Sequence, residues 1–112
     1  MDIELYESSG GDAVVLALSG RLNMVAAPQL KKVADDVVAN GRARIVVDLS
    51  GVSFMDSSGL GALIGGLKSA RQAAGDLRIA GATEQVLAVL QLTNMDRILR
   101  PYPTVQDALG EW

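Results

Sequence analysis

The chain of 112 residues is long enough for one compact domain and too short for two separate hydrophobic cores. Hydrophobic residues make up 49% of it and aromatic residues only 4%, so a core has to be built mainly from aliphatic side chains. Ten basic and thirteen acidic residues give a net charge of -3 without a block of like charge, which gives no reason to expect a nucleic-acid partner. We expect one domain over residues 1–112.

The chain contains no cysteine and no histidine. This removes disulfides, thiol nucleophiles, the commonest general base and the commonest transition-metal ligand. Asp48, Asp56 and Glu84 are the nearest candidates for acid–base chemistry, and they form no recognisable catalytic pair. We therefore expect a protein that is not an enzyme and that holds no cofactor and no metal.

The first residues, Met1 to Glu4, are acidic and lack the basic and then apolar pattern of a signal peptide. No apolar stretch approaches the ~18 residues that indicate a membrane-spanning helix. The sequence thus predicts a protein of the cytoplasm without a membrane span.

The first predicted elements are two strands and a helix. Residues 3–7 form a candidate edge strand, and the continuous apolar run at residues 13–18 predicts a strand buried on both faces. A helical repeat of apolar residues follows, which begins near Ala26 or Ala27 because proline is tolerated only in the first turn, and which ends before Gly41. Residues 21–25 are predicted to be a connecting loop.

The middle of the chain predicts a strand, a loop and a longer helix. Residues 44–49 are rich in β-branched side chains and predict a buried strand, and residues 50–56 predict a loop. Apolar residues then recur at helical spacing from Leu60 to Leu67, and Gly75 is the expected stop.

The last third predicts a strand at residues 77–80, a helix capped by Thr83, a short strand at Ile98–Leu99 and a terminal helix capped by Thr104. Strands separated by helices imply crossover connections. The predicted fold is therefore a single α/β domain, a mixed central sheet with an N-terminal antiparallel hairpin and helices packed on it. In such folds the loops that follow the strands collect functional groups.

One segment, Asp48 to Gly61, reads Asp-Leu-Ser-Gly-Val-Ser-Phe-Met-Asp-Ser-Ser-Gly-Leu-Gly. It predicts a helix that opens on Asp56 and Ser57, and both residue types are good N-caps, so capping alone explains them. The functional alternative is that Ser57 is a phosphoacceptor held at a helix N-terminus.

Residues 47–65 resemble the signature of the STAS domain, specifically that of the bacterial anti-sigma factor antagonists. The predicted order of elements and the Leu18-Ser-Gly-Arg-Leu-Asn23 segment match this family as well. The resemblance implies that the unphosphorylated protein binds an anti-sigma factor that is also a serine kinase, and so releases a sigma factor. It also implies that the kinase, which itself holds ATP, phosphorylates Ser57, and that a metal-dependent serine phosphatase restores the active form.

The resemblance places partner binding on two neighbouring loops, with the contact residues Arg21, Leu22, Asn23, Met55, Asp56, Ser57, Ser58, Gly59 and Gly61. Structural roles are alternatives for several of them: capping explains Asp56 equally well and is the favoured role of Ser58, and helix packing explains the two glycines nearly as well. Asn23 departs from the Asp that related antagonists often carry at this place, since an amide keeps the hydrogen-bonding shape but removes a charge.

Two other interpretations compete with the switch. The glycine-containing segment from Gly61 to Ser69 resembles a phosphate-binding loop, but Lys68 stands one place late and the segment lies within a helical pattern, so nucleotide binding is not predicted. STAS-like domains also serve as interaction modules without a phosphorylation switch, in stress-signalling or lipid-transport complexes. The intact Asp-Ser-Ser-Gly sequence favours the switch.

Overall fold

The computed structural model describes residues 1–110. Its centre is a five-stranded sheet in which the strands follow one another in sequence order. The first two strands pair antiparallel and every later pair is parallel, so the predicted mixed sheet with an N-terminal hairpin is confirmed. The strands are β1 (Asp2–Glu7), β2 (Val14–Leu22), β3 (Arg44–Met55), β4 (Asp76–Ala80) and β5 (Pro101–Tyr102).

Helices cover both faces of the sheet, unequally. The larger face packs against the first three helices in the main apolar cluster, while a smaller cluster on the other face is covered by the last and shortest helix. Because β2 and β3 are buried between these layers, they carry apolar side chains on both faces, as their continuous apolar runs predict. The helices are α1 (Ala27–Ala39), α2 (Ser57–Gln72), α3 (Glu84–Leu92) and α4 (Val105–Leu109).

The predicted helix boundaries agree with the structure where local chemistry fixes them. Helix α1 begins at Ala27 with Pro28 in its first turn, and Gly41 just beyond its end has a φ of 85°, the left-handed region that favours glycine. The Thr104 hydroxyl accepts a hydrogen bond from the Asp107 N–H and caps α4 as predicted. Thr83 is the N-cap residue of α3, but its hydroxyl donates to the Val52 carbonyl at 3.2 Å and does not cap the helix. No helix within residues 1–110 combines the length and the apolar character needed to cross a bilayer.

The loops predicted at residues 21–25 and 50–56 are partly wrong, because β2 continues to Leu22 and β3 to Met55. The polar and glycine residues that suggest a loop stay in the ladder between these two strands, where two register shifts, each with one extra residue on β3, accommodate them. Their side chains are mostly exposed, so the sequence loses the apolar pattern although the backbone pairing continues.

The strand predicted at Ile98–Leu99 is also wrong. A 3₁₀ turn occupies Met95–Arg97, and the Leu99 N–H donates to the Met95 carbonyl at 2.8 Å rather than to a strand. Leu99 lies just after this turn, and its side chain is buried in the main core, which explains why the residue is apolar. The last strand, β5, follows at Pro101–Tyr102.

Candidate functional site

The junction of β3 and α2 displays two serine hydroxyls. Asp56 has extended backbone angles and is the N-cap of α2, with its Oδ1 accepting the Gly59 N–H at 2.9 Å. Ser57 is thus the first helical residue and is not needed as the cap. Ser57 and Ser58 are exposed, and within the described part of the chain neither hydroxyl has a hydrogen-bond partner.

The same carboxylate fastens a second segment to the helix start. The Oδ2 atom of Asp56 accepts the Met24 N–H at 3.1 Å, and the Asp56 N–H donates to the Leu22 carbonyl. Asn23 organises the turn in between, because its Oδ1 accepts the N–H groups of Val25 and Ala26 at 3.1 and 3.2 Å. An aspartate could accept both of these bonds in the same way, so the amide at position 23 alters charge rather than backbone geometry.

Two glycines in the first turn of α2 have different surroundings. A Cβ atom on Gly59 would lie 2.2 Å from the Leu22 carbonyl oxygen, so only glycine lets the helix start sit on the end of β2. A Cβ atom on Gly61 would meet no atom of the described residues within 4 Å. Gly59 is therefore explained by packing, whereas Gly61 faces open space beside the exposed serines.

A side chain from α3 makes hydrogen bonds to the backbone of β3 next to the site. Pairing between β3 and β4 ends at Asp48, so within residues 1–110 the last residues of β3 have no strand on that side. The Gln85 side chain replaces one: its Oε1 accepts the Met55 N–H at 2.7 Å and its Nε2 donates to the Met55 carbonyl at 2.9 Å. Met55 directly precedes Asp56, so this contact holds the chain where it enters α2.

The structure brings the nine predicted contact residues to one end of the sheet, where Leu22 pairs with Met55 across β2 and β3. Their exposure differs. Leu22 and Met55 are 0% and 1% exposed, and Gly59 is also buried. The accessible members are Arg21, Ser57, Ser58 and Gly61, with Asn23 and Asp56 half-buried. The Arg21 guanidinium lies 4.5 Å from the centre of the Phe54 ring.

Three residues beside this site were missed by the sequence analysis. Met24 and Val25 are 70% and 82% exposed on the turn that Asp56 holds. Two apolar residues in a predicted loop were a signal that could have been used. Gln85 gave no such signal, because its role depends on where β4 ends relative to β3.

The site can present a hydroxyl but is poorly equipped to activate one. Both Asp56 oxygens already accept backbone hydrogen bonds, and no other side chain within residues 1–110 is bonded to the Ser57 hydroxyl. Chemistry at Ser57 would therefore need a base and a phosphoryl donor from another molecule.

Fold and site together define a class: a small α/β domain that offers an exposed serine at a helix start, bordered by an apolar turn. The chain belongs to the STAS domain family, whose model matches residues 3–108. A Thermotoga maritima protein provisionally named an anti-sigma factor antagonist is 37% identical over 101 residues, which is 89% of each chain.

One further relative and one solved structure agree with this family assignment. The Staphylococcus aureus anti-sigma-B factor antagonist is 30% identical over 99 residues, covering 88% of this chain and 92% of its own. A crystal structure of the Thermotoga maritima antagonist superposes with a TM-score of 0.87 at 33% identity, covering 96% of this chain and 91% of that one.

Proposed function

We propose that this protein is an anti-sigma factor antagonist that phosphorylation of Ser57 switches off. The observation that carries the proposal is that Asp56, and not Ser57, caps α2. This leaves the Ser57 hydroxyl exposed and without a hydrogen bond within the described residues. The names of the relatives support the antagonist role.

In this proposal the unphosphorylated protein binds, in the cytoplasm, an anti-sigma factor with serine kinase activity, and a sigma factor is released. The kinase supplies ATP, and a metal-dependent serine phosphatase reverses the modification. The chain itself acts as a binding module rather than a catalyst.

The partner would dock on the accessible residues around Ser57. Met24 and Val25 form an exposed apolar pair, and such residues supply the buried centre of an interface when a partner covers them. Gly61 allows the partner's backbone to approach α2 closely, since no side chain stands there. Leu22 and Met55 support this surface from inside.

Phosphorylation can break the complex without unfolding the domain. A phosphoserine adds about -1.5 to -2 charges at neutral pH. At the first residue of α2 this charge meets the free N–H groups and the positive end of the helix dipole, which favours it by about 0.3–1 kcal/mol. An unfavourable contact of about 3 kcal/mol with the docked partner would still weaken binding roughly a hundredfold.

The test begins with the anti-sigma factor that the unmodified chain captures. After incubation with that protein and ATP, mass spectrometry is expected to find phosphate on Ser57 in the parent chain and in Ser58→Ala, and none in Ser57→Ala. Ser57→Ala is expected to keep its affinity for the partner.

Binding is then compared between charge variants. Ser57→Asp is expected to weaken the complex, whereas Ser9→Asp, which adds the same charge to an exposed turn between β1 and β2, leaves it unchanged. Phosphate on Ser58 would overturn the site assignment. Absence of phosphate, or equal affinity of the modified and unmodified chains, would instead favour a STAS interaction module without a switch.

A further inference from the structure

A groove lined by arginines runs along the β5 edge of the sheet, away from Ser57. Two adjoining cavities of about 200 and 400 Å³ form it, and they share Arg78, Arg100 and Tyr102. Arg71 and Arg97 line the first cavity. We call these four arginines with Tyr102 the arginine groove.

The four arginines are not equally engaged. Arg71 pairs with Asp76 at 3.3 Å, and Arg78 lies 3.8 Å from the same carboxylate. By contrast, Arg97 and Arg100 are exposed and form no ion pair with any residue between 1 and 110. Two guanidinium groups, three positions apart, are therefore available to a ligand.

This concentration of positive charge stands out in an acidic chain. Four of its ten basic residues line the groove, against two aspartates, Asp76 and Asp107, although the chain as a whole carries -3. Like charges in one concave surface reinforce each other's potential and raise the local concentration of anions. With four arginines against two aspartates, the groove is therefore suited to attract a negatively charged partner.

The groove and the serine site are spatially separate. Ser57 begins α2 and Arg71 lies near its end, 14 positions later, so the helix rise places them ~21 Å apart. A ligand in the groove would leave the surface around Ser57 uncovered. The inference therefore stands independently of the proposed function.

The chemistry of the groove distinguishes between anionic ligands. Arginine binds both carboxylates and phosphates through its planar fork of donors, so the guanidinium groups alone do not choose between them. A nucleotide would also need an open ring on which to stack its base, but Tyr102 is already covered by guanidinium groups, with Arg78 at 5.6 Å and Arg100 at 5.4 Å from the ring centre. We propose that the arginine groove binds an acidic segment of a protein partner, whose carboxylates pair with Arg97 and Arg100.

The probe for this proposal is a hexaglutamate peptide, titrated into the full chain at low salt by calorimetry and by amide chemical shifts. We expect binding with shifts centred on residues 97–102, and affinity that falls as salt is raised. Arg97→Glu and Arg100→Glu are each expected to weaken binding at least about fivefold, because each replaces an attractive contact with a repulsive one. Circular dichroism checks that both variants are folded. If either is not, the double variant Arg97→Gln/Arg100→Gln replaces them in the titration.

Lys68→Glu is the matched control, since it makes the same charge change at an exposed position of α2 outside the groove. It is expected to alter affinity less than twofold. Equal weakening by Lys68→Glu would overturn the proposal in favour of diffuse attraction. No binding of the peptide would also overturn it, as would tighter binding of ATP or inorganic phosphate in parallel titrations.

Discussion

The backbone N–H of Met24 donates a hydrogen bond to Oδ2 of Asp56, 32 residues further along the chain, at 3.1 Å. The other carboxylate oxygen caps α2, so one side chain joins the turn after β2 to the start of the helix. Serine, threonine and asparagine are also good N-caps, but none offers two acceptor oxygens. This double contact gives a structural reason for aspartate at position 56.

Replacing Asp56 with serine separates its two roles. In Asp56→Ser the hydroxyl can still cap α2, while the bond to Met24 is lost, and we expect the free energy of unfolding to fall by about 1 kcal/mol. Urea denaturation measures this loss, and the Met24 amide is expected to exchange its hydrogen faster than in the parent chain. Asp12→Asn, which removes an exposed carboxylate without a hydrogen bond among residues 1–110, controls for charge. Unchanged exchange at Met24 would show that the bond does not hold the turn.

Gly59 and Gly61 provide a matched pair in one helical turn. Gly59→Ala forces a Cβ atom against the Leu22 carbonyl, and we expect a loss of several kcal/mol or failure to fold. Gly61→Ala meets open space and gains helix propensity, so its stability is expected to rise by up to about 1 kcal/mol. Thermal unfolding of both variants is the measurement.

Gly61→Ala also bears on the proposed docking surface. If a partner's backbone approaches α2 at this position, the added methyl group weakens the complex in a more stable protein. Alanine at position 61 that leaves partner affinity unchanged would remove Gly61 from the interface.

The sequence predicted helix boundaries well where a single residue type, such as a proline or an N-cap residue, determines the local backbone. Pro28 fixed the start of α1, Asp56 the start of α2, and Thr104 the cap of α4. The long apolar runs identified the buried strands, because burial on both faces leaves no polar alternation. The resemblance to a family pointed to Ser57 as the candidate phosphoacceptor, which stays a prediction.

The features of the fold and the site that the sequence did not predict depend on contacts between residues that are distant in sequence. Beyond Leu49, β3 mixes exposed Ser and Gly residues with buried apolar ones, so no regular apolar pattern marks it as a strand. It is a strand because β2 continues beside it. Leu99 is apolar because it reaches the core from a turn. The role of Gln85 follows from the length of β4, which local patterns do not encode.

Gln85 can be tested with a nearly isosteric change. In Gln85→Glu the side chain loses the donor that faces the Met55 carbonyl, so we expect a loss of about 1–2 kcal/mol in the free energy of unfolding. Faster hydrogen exchange at Met55 would accompany it. Gln91→Glu makes the same change at an exposed position of α3 with no hydrogen bond from its side chain to residues 1–110, and is expected to have little effect. Equal effects of the two changes would assign the loss to charge rather than to the contact with β3.

Asp35 links α1 to α2, and its contribution to the stability of the fold is expected to depend on pH. The Lys31 ammonium donates to its carboxylate at 2.6 Å and holds the pKa of Asp35 below its usual value, with the Ser69 hydroxyl of α2 acting in the same direction and desolvation opposing both. Because the folded state favours the ionised form, the stabilisation is fully present above the usual pKa and is lost as the pH falls through the lowered one.

Asp35→Asn is therefore expected to be less stable than the parent at pH 7, with the difference shrinking below about pH 4. The carboxylate is 46% exposed, so solvent screening limits the expected loss to less than about 1 kcal/mol. Urea denaturation of both chains at several pH values measures it. Asp36→Asn, which breaks the more exposed pair with Lys32 on the same helix, is expected to cost less because Asp36 has no bond to α2 among the described residues. A difference between parent and Asp35→Asn that stays constant from pH 7 to pH 2 would contradict the assigned role, since only an ionised Asp35 forms the ion pair with Lys31.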